Sequence, residues 1–284
     1  MSEADKGNAM KTWFITGTST GFGRILTERL LENGDRVAAT LRKPEQLESL
    51  RERFGDRLWV SGLDVTDSRQ IGKVVNAAFD ALGRIDVIVN NAGYAAFGAV
   101  EELSEEQIRR QLDTNVVGSI LVTRAAIPHL RAQGGGRILQ LSSMGGQIAL
   151  PGLCLYHASK WAIEGFFESV MQDVASFNIE ATLVEPAGAH TNFIASFDNG
   201  EPLDAYVDTI VGERRRAVAS PNYKLALSPE KAVDAMIASV AVSPAPKRLA
   251  LGSGAYNFMH KGLSERLSLL ESQREIAFAA DHEE

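Results

Sequence analysis

Short apolar runs alternate with longer amphipathic stretches along the chain, and the alternation predicts its elements. Thr12–Thr16 reads as a buried strand. A glycine-rich turn follows, then a helix over about 21–33 that Gly34 stops. Arg36–Leu41 is a second strand, and Pro44 opens a polar helix to about Phe54, proline being tolerated in a first helical turn. Residues 58–63 form a third strand, ending at Asp64. Asp67 caps a helix that reaches about Leu82, and residues 85–90 are a fourth strand. Residues 104–107 make a capping box, and the helix behind it runs to His129 or beyond despite Pro128. Gly134, Gly135 and Gly136 break the chain before a fifth strand at 137–141. A helix over about 155–176 and a sixth strand at 180–185 follow.

The pattern changes after Pro186. Residues 187–227 mix glycine, proline, asparagine and charge with apolar positions such as Phe193, Ile194 and Phe197, and read as an insertion with one or two short helices. Pro229 starts a helix to about Val242, Arg248–Leu251 is a seventh strand, and residues 254–280 read as a terminal helix with Leu263, Leu267 and Leu270 on one face. Strands apolar on both faces, alternating with helices, imply an α/β fold. It is a doubly wound (Rossmann) parallel seven-stranded sheet with helices on both faces, in a single domain. That domain is expected over 11–252, with a flexible tail at 1–10 and a helical extension at 253–284.

Composition narrows the function. With 284 residues, 45% hydrophobic and 23% charged, the chain can bury a sizeable core. A net charge of -7 argues against a nucleic-acid partner, and Arg214-Arg215-Arg216 reads as a solvated helix face. The single cysteine, Cys154, forbids an intrachain disulfide and metal sites built on several cysteines, so no metal is expected. The N-terminus lacks the apolar core of a secretory signal, and no apolar run spans a bilayer. A cytoplasmic protein without a membrane partner is expected.

Two stretches carry chemistry. Thr16–Gly23 spaces its glycines Gly-x-x-x-Gly-x-Gly directly after the first strand and opens a helix. Such a turn lets backbone approach a pyrophosphate, and the helix start offers free N–H groups. At the end of the second strand, no acid precedes Glu45; Arg42 and Lys43 stand there instead. A guanidinium fork there suits a 2'-phosphate, which predicts NADP(H) as the preferred cofactor and NAD(H) as the alternative. The second stretch, residues 142–160, holds Ser143, Tyr156 and Lys160. Tyr156 and Lys160 are four apart, on one helix face. An ammonium beside a phenol favours phenolate, which would let the tyrosine exchange protons near pH 7. Leu150, Leu153, Cys154, Leu155, Phe193, Ile194 and Phe197 are candidates to line an apolar pocket. His157 reads as packed or solvent-facing, and His190 as loop surface within reach of the pocket.

Taken together these residues resemble the classical short-chain dehydrogenase/reductase family over roughly 11–252. Thr16–Gly23, with Gly17, Thr18, Ser19, Gly21, Phe22 and Gly23, resembles its glycine motif. Asp64 and Val65 resemble the pair that meets adenine, and Asn90-Asn91-Ala92-Gly93 resembles its Asn-Asn-Ala-Gly motif. Asn115 matches the asparagine of its proton relay, and Ser143, Tyr156 and Lys160 match its catalytic positions. Pro186, Gly188, Ala189 and Thr191 fall in the segment that closes over the nicotinamide. That segment departs from the family in reading Pro186-Ala187, with the glycine displaced to Gly188.

The resemblance implies hydride transfer between nicotinamide and the carbonyl or carbinol carbon of a moderately hydrophobic ketone, aldehyde or alcohol. Tyr156 would be the general acid/base. Ser143 would hold the substrate oxygen, Lys160 would hold the nicotinamide ribose and depress the Tyr156 pKa, and Asn115 would position a relay water. Subunit contacts through the helices at about 104–130 and 155–176 are implied, in a homodimer or homotetramer. The rival readings are an NAD-dependent alcohol dehydrogenase of the same family, a catalytically silent nucleotide sensor, and a scaffold without cofactor.

Overall fold

The computed structural model describes residues 10–189, 191–220 and 222–282. The expected N-terminal tail apart from Met10, and His190, lie outside the described residues. In chain order the first half runs β1 (Thr12–Thr16), α1 (Gly21–Glu32), β2 (Arg36–Leu41), α2 (Glu48–Phe54), β3 (Leu58–Gly62), α3 (Ser68–Leu82), β4 (Val87–Asn90) and β5 (Ala96–Phe97). Then come α4 (Glu105–Leu112), α5 (Gly118–Ala132), β6 (Gly136–Leu141), α6 (Cys154–Asp173), β7 (Ile179–Pro186) and β8 (Asp198–Asn199). The last part is α7 (Ile210–Ala219), α8 (Pro229–Val240), β9 (Arg248–Leu251), α9 (Ser253–Ser272) and α10 (Arg274–Phe278).

Seven strands pair in parallel in the order β3-β2-β1-β4-β6-β7-β9. The period of two along each strand sends alternate side chains to opposite faces. Trp13 and Ile15 face a core filled from α1, α2 and α8 by Leu26, Leu30, Leu50, Val233 and Met236. Phe14, between them, faces a second core filled from α3, α5 and α6 by Val75, Phe79, Val122, Ile163 and Phe167. This is the expected Rossmann sheet in a single domain. Among the described residues no helix is long and apolar enough to cross a membrane.

Some elements differ from the sequence expectation. The 44–54 helix begins as a 3-10 turn at Pro44–Leu47. The terminal helix is interrupted at Gln273, between α9 and α10. The long helix after Ser104 is cut by a π turn at Asp113–Val117. Inside it, Asn115 donates from Nδ2 to Tyr94 O at 2.9 Å and to Ser159 Oγ at 3.1 Å, and its Oδ1 accepts from Tyr94 N at 3.1 Å. These bonds hold the bulge against α6, as π turns at functional sites often are held. The strands β5 and β8 form a separate parallel pair, Ala96 opposite Asp198 and Phe97 opposite Asn199. That pair ties the insertion to the main body.

Candidate active site

Strand order reverses between β1 and β4, so the chain leaves their carboxyl ends in opposite directions and a crevice opens there. Thr16 closes β1, and its Oγ1 accepts from the backbone N–H groups of Asn91 and Ala92, both at 3.1 Å. Asn91 returns two bonds through Nδ2, to Thr16 O at 2.8 Å and Gly17 O at 2.9 Å. The glycine turn is therefore pinned to the end of β4. Gly17 has φ +72°, and a Cβ there would lie 2.8 Å from Ala92 Cα; one on Gly23 would run into Asn91 and Gly17. Thr20, at the N-cap of α1, makes no side-chain cap. The result is a backbone-walled cradle facing the start of a helix, which fits a pyrophosphate.

A cavity of about 1390 Å³ runs from this cradle to the insertion. Gly17, Ser19, Gly21, Phe22, Arg42, Asp64, Val65, Asn91, Ala92, Gly93, Ser143, Tyr156, Lys160, Pro186, Gly188, Ala189 and Thr191 line it. The structure thus gathers nearly every residue the sequence singled out. Thr18, Gly23, Lys43 and Asn115 lie off the lining. Thr18 is buried and donates to Thr40 O at 3.2 Å, bracing the turn from behind. Lys43 is exposed and precedes the Pro44–Leu47 turn. Asp64 would be raised by burial, but the Thr66 backbone and hydroxyl bonds and the Arg42 and Arg110 charges outweigh this and hold it below the usual carboxylate value.

Ala187 fits without strain. No described non-glycine residue except Asn178 has positive φ, and the Ala187 methyl faces Gly252 and Gly254, where no side chain competes. Gly188 has its own reason. A Cβ there would lie 2.7 Å from Leu225 Cδ2, so the displaced glycine makes room for the insertion.

Ser143 stands in extended backbone after β6, and its Oγ accepts from Gly145 N at 3.0 Å. Tyr156 opens the first turn of α6, one turn before Lys160. Burial pushes the Tyr156 phenol up to about 12, with the Ser143 hydroxyl pulling the other way. Lys160 donates from Nζ to Leu141 O at 2.7 Å, and its Nζ lies 5.6 Å from the Tyr156 ring centre. Burial pulls Lys160 down to about 8, opposed by the charge of Glu164. The expected lowering of the phenol by the ammonium is not among the influences on Tyr156, and burial dominates both groups.

Above the phenol stands an aromatic wall. Phe193 lies 5.7 Å from the Tyr156 ring, Phe197 5.5 Å from Phe193, and Phe97 5.7 Å from Phe197. Leu150, Leu153, Phe193, Ile194 and Phe197 line the cavity as expected. Cys154 is exposed, and Leu155 packs instead with Ala96 and Leu103. His157 is buried: Leu150 N donates to its Nε2 at 2.9 Å, and its Nδ1 bonds Gly145 O at 2.9 Å. It clasps the 145–150 loop over α6. Burial lowers its pKa, so the ring is neutral.

Sequence reading missed three buried carboxylates, Glu102, Glu164 and Glu185. Glu102 accepts from Ala99 N at 2.7 Å and Leu203 N at 3.0 Å and pairs with Arg215 of α7, joining the insertion to the segment after β5. Glu164 accepts from Ser142 Oγ at 2.5 Å and from Gln147, and pairs with Arg248, which also holds Glu168 and Glu185. Its position four residues after Lys160 was the available signal. The solvated face expected for the three arginines is also corrected. Arg215 is drawn inward by Glu102, Arg214 reaches the cavity, and only Arg216 is exposed.

Comparison with known proteins agrees with this architecture. Residues 11–202 match the family described as short chain dehydrogenase. Oxidoreductase BOA17 of Botryotinia fuckeliana (strain B05.10) is 38% identical over 275 residues, covering 95% of this chain and 99% of the relative. A short-chain dehydrogenase from Streptomyces avermitilis superimposes with a TM-score of 0.88 at 34% identity, covering 96% of this chain and 99% of that one. A short chain dehydrogenase from Burkholderia cenocepacia J2315 in complex with NADP gives 0.72 at 25% identity, covering 94% and 98%. The reversed sheet, the pinned glycine turn and the Ser143, Tyr156 and Lys160 positions accompany a match over most of the chain's length, and the chain belongs to the short-chain dehydrogenase family of oxidoreductases.

Proposed function

We propose that this oxidoreductase prefers NADP(H) and transfers hydride between the cofactor and a carbonyl or secondary alcohol of a moderately hydrophobic small molecule. The observation that carries the reading is one cavity holding a glycine cradle at one end and Ser143 and Tyr156 under an aromatic wall at the other. The cradle residues and Thr191 would hold the pyrophosphate, Arg42 the 2'-phosphate, Asp64 and Val65 the adenine, and Lys160 the nicotinamide ribose. The bound cofactor supplies the hydride. The NADP held by the Burkholderia relative supports a nicotinamide cofactor, and Arg42 at the end of β2 supports the choice of NADP(H).

In reduction, Tyr156 gives its proton to the substrate oxygen as negative charge grows there, and Ser143 donates a hydrogen bond to the same oxygen. A phenol that stays protonated at neutral pH suits this direction. Lys160 would return a proton to the Tyr156 phenolate after the transfer and take one up from solvent in turn. The Asn115 side chain, already spent on Tyr94 and Ser159, acts by holding the backbone of the π turn in place. The aromatic wall excludes water, so each of these bonds acts in a low dielectric.

The protein is read as cytoplasmic and as a homodimer or homotetramer. Val117 and Trp161, on the helical faces expected to form contacts, are exposed, as are Leu263, Leu267 and Leu270 of α9. Light scattering should give a dimer or tetramer mass, and a monomer mass at micromolar concentration contradicts assembly. The function is tested by following NADPH oxidation with a panel of apolar ketones and aldehydes. Turnover of some members, with NADPH used better than NADH, is expected. Binding of NADPH without turnover of any member favours a nucleotide sensor.

A further inference from the structure

The three arginines of α7 meet three different fates. Arg215 pairs with buried Glu102 and stands 5.9 Å from the Phe97 ring. Arg216 donates to Val207 O at 2.7 Å. Arg214 lines the cavity, and among the described residues its buried Nε has no hydrogen-bond partner. Withdrawing a guanidinium edge from water without a partner is costly, so such groups are rare unless something else satisfies them.

The position of Arg214 is informative. It shares the substrate half of the cavity with Leu150, Phe193, Phe197 and Val218. Its charge reaches His157, helping to lower that ring's pKa, and His157 stands 5.8 Å from the catalytic phenol. The nearby carboxylates are committed elsewhere: Asp198 to Gln107 and Arg110, and Glu102 to Arg215. Lys224 adds a second positive group to the same lining. The substrate end is therefore lined by apolar walls together with the positive side chains of Arg214 and Lys224. A carboxylate is the group that matches a guanidinium edge, two oxygens to two N–H groups.

Resting on the oxidoreductase reading above, we propose that the substrate is an apolar carbonyl or hydroxy compound that also carries an anionic group, a keto or hydroxy acid, and that Arg214 binds this anion while Ser143 and Tyr156 take the reacting oxygen. Arg214 is a specificity residue and takes no part in proton transfer. Its reach selects the distance along the substrate between anion and carbonyl.

The test uses straight-chain oxo-decanoates with the ketone moved along the chain, each beside its methyl ester, in NADPH oxidation. Wild-type enzyme should favour the acid over its ester by on the order of 10- to 100-fold in kcat/KM at the best ketone position. Arg214→Ala should lower kcat/KM for the acid by a similar factor relative to the ester, and Arg214→Lys should restore part of that preference. Equal use of acid and ester by the wild type overturns the inference and leaves the oxidoreductase reading standing. Equal losses on acid and ester in Arg214→Ala overturn it too. No turnover of either series while other ketones or aldehydes of the panel turn over overturns the inference alone; no turnover of any panel member with NADPH bound removes the hydride-transfer reading as well. The wild-type ratio needs no variant, so a misfolded substitution does not rescue the proposal.

Discussion

A buried phenol holds its proton tightly, and Tyr156 is buried under Phe193, with the Ser143 hydroxyl drawing its pKa the other way. In the proposed reaction, proton transfer from it would wait on an oxygen that gains negative charge, which Ser143 would also steady. Arg42 poses a different problem. It stands at the rim of the cavity beside Asp64, with no acid of its own strand end to compete. Arg42→Ala should weaken NADPH by about tenfold or more and NADH far less, as read by titrating each cofactor, since a charge-assisted bond to phosphate is worth roughly 1.5–3 kcal/mol. Equal losses would contradict the 2'-phosphate assignment. At this scale the sequence was legible where chemistry follows spacing, as for Tyr156 and Lys160 on one helix face. It was not legible where burial decides. Glu101 and Glu102 are adjacent and identical, yet only Glu102 is inside, because Arg215 and Leu203 arrive from a hundred residues away.

At the level of elements, β7, β9 and α6 are joined by Arg248 and the carboxylates of Glu164, Glu168 and Glu185. Burial and the neighbouring Glu164 charge raise Glu185 from the ordinary 4.5 to about 7, against the pull of Arg248. Between those two values the folded chain keeps a proton that the unfolded chain has lost. Stability contributed by this group is thus present below about pH 4.5 and declines as pH rises toward 7. Glu185→Gln should flatten that decline in thermal melts taken from pH 4.5 to 7.5, and parallel curves for variant and wild type would contradict it. Strands such as Arg36–Leu41 and Arg248–Leu251 fell where apolar runs predicted them, because each carries its own apolar run in a few consecutive residues. The pair β5–β8 and the π turn carry no local pattern. One needs partners about a hundred residues apart, and the other is fixed by Asn115 reaching Tyr94 and Ser159.

For the molecule as a whole, the reversal of strand order brings the glycine cradle and the Ser143–Tyr156 pair to one opening, and the insertion roofs the substrate end. Glu102, Gln107 and β8 anchor that roof, so substrate shape is set by a segment tied down at several points. The whole arrangement asks one residue to move the proton. The measurement that tests this most directly is NADPH binding and NADPH oxidation by Tyr156→Phe, side by side with wild type and the best carbonyl of the panel. Phenylalanine keeps the ring and removes only the hydroxyl, so binding should persist while kcat falls by about 10²- to 10⁴-fold. Full activity in Tyr156→Phe would contradict the proton-transfer role.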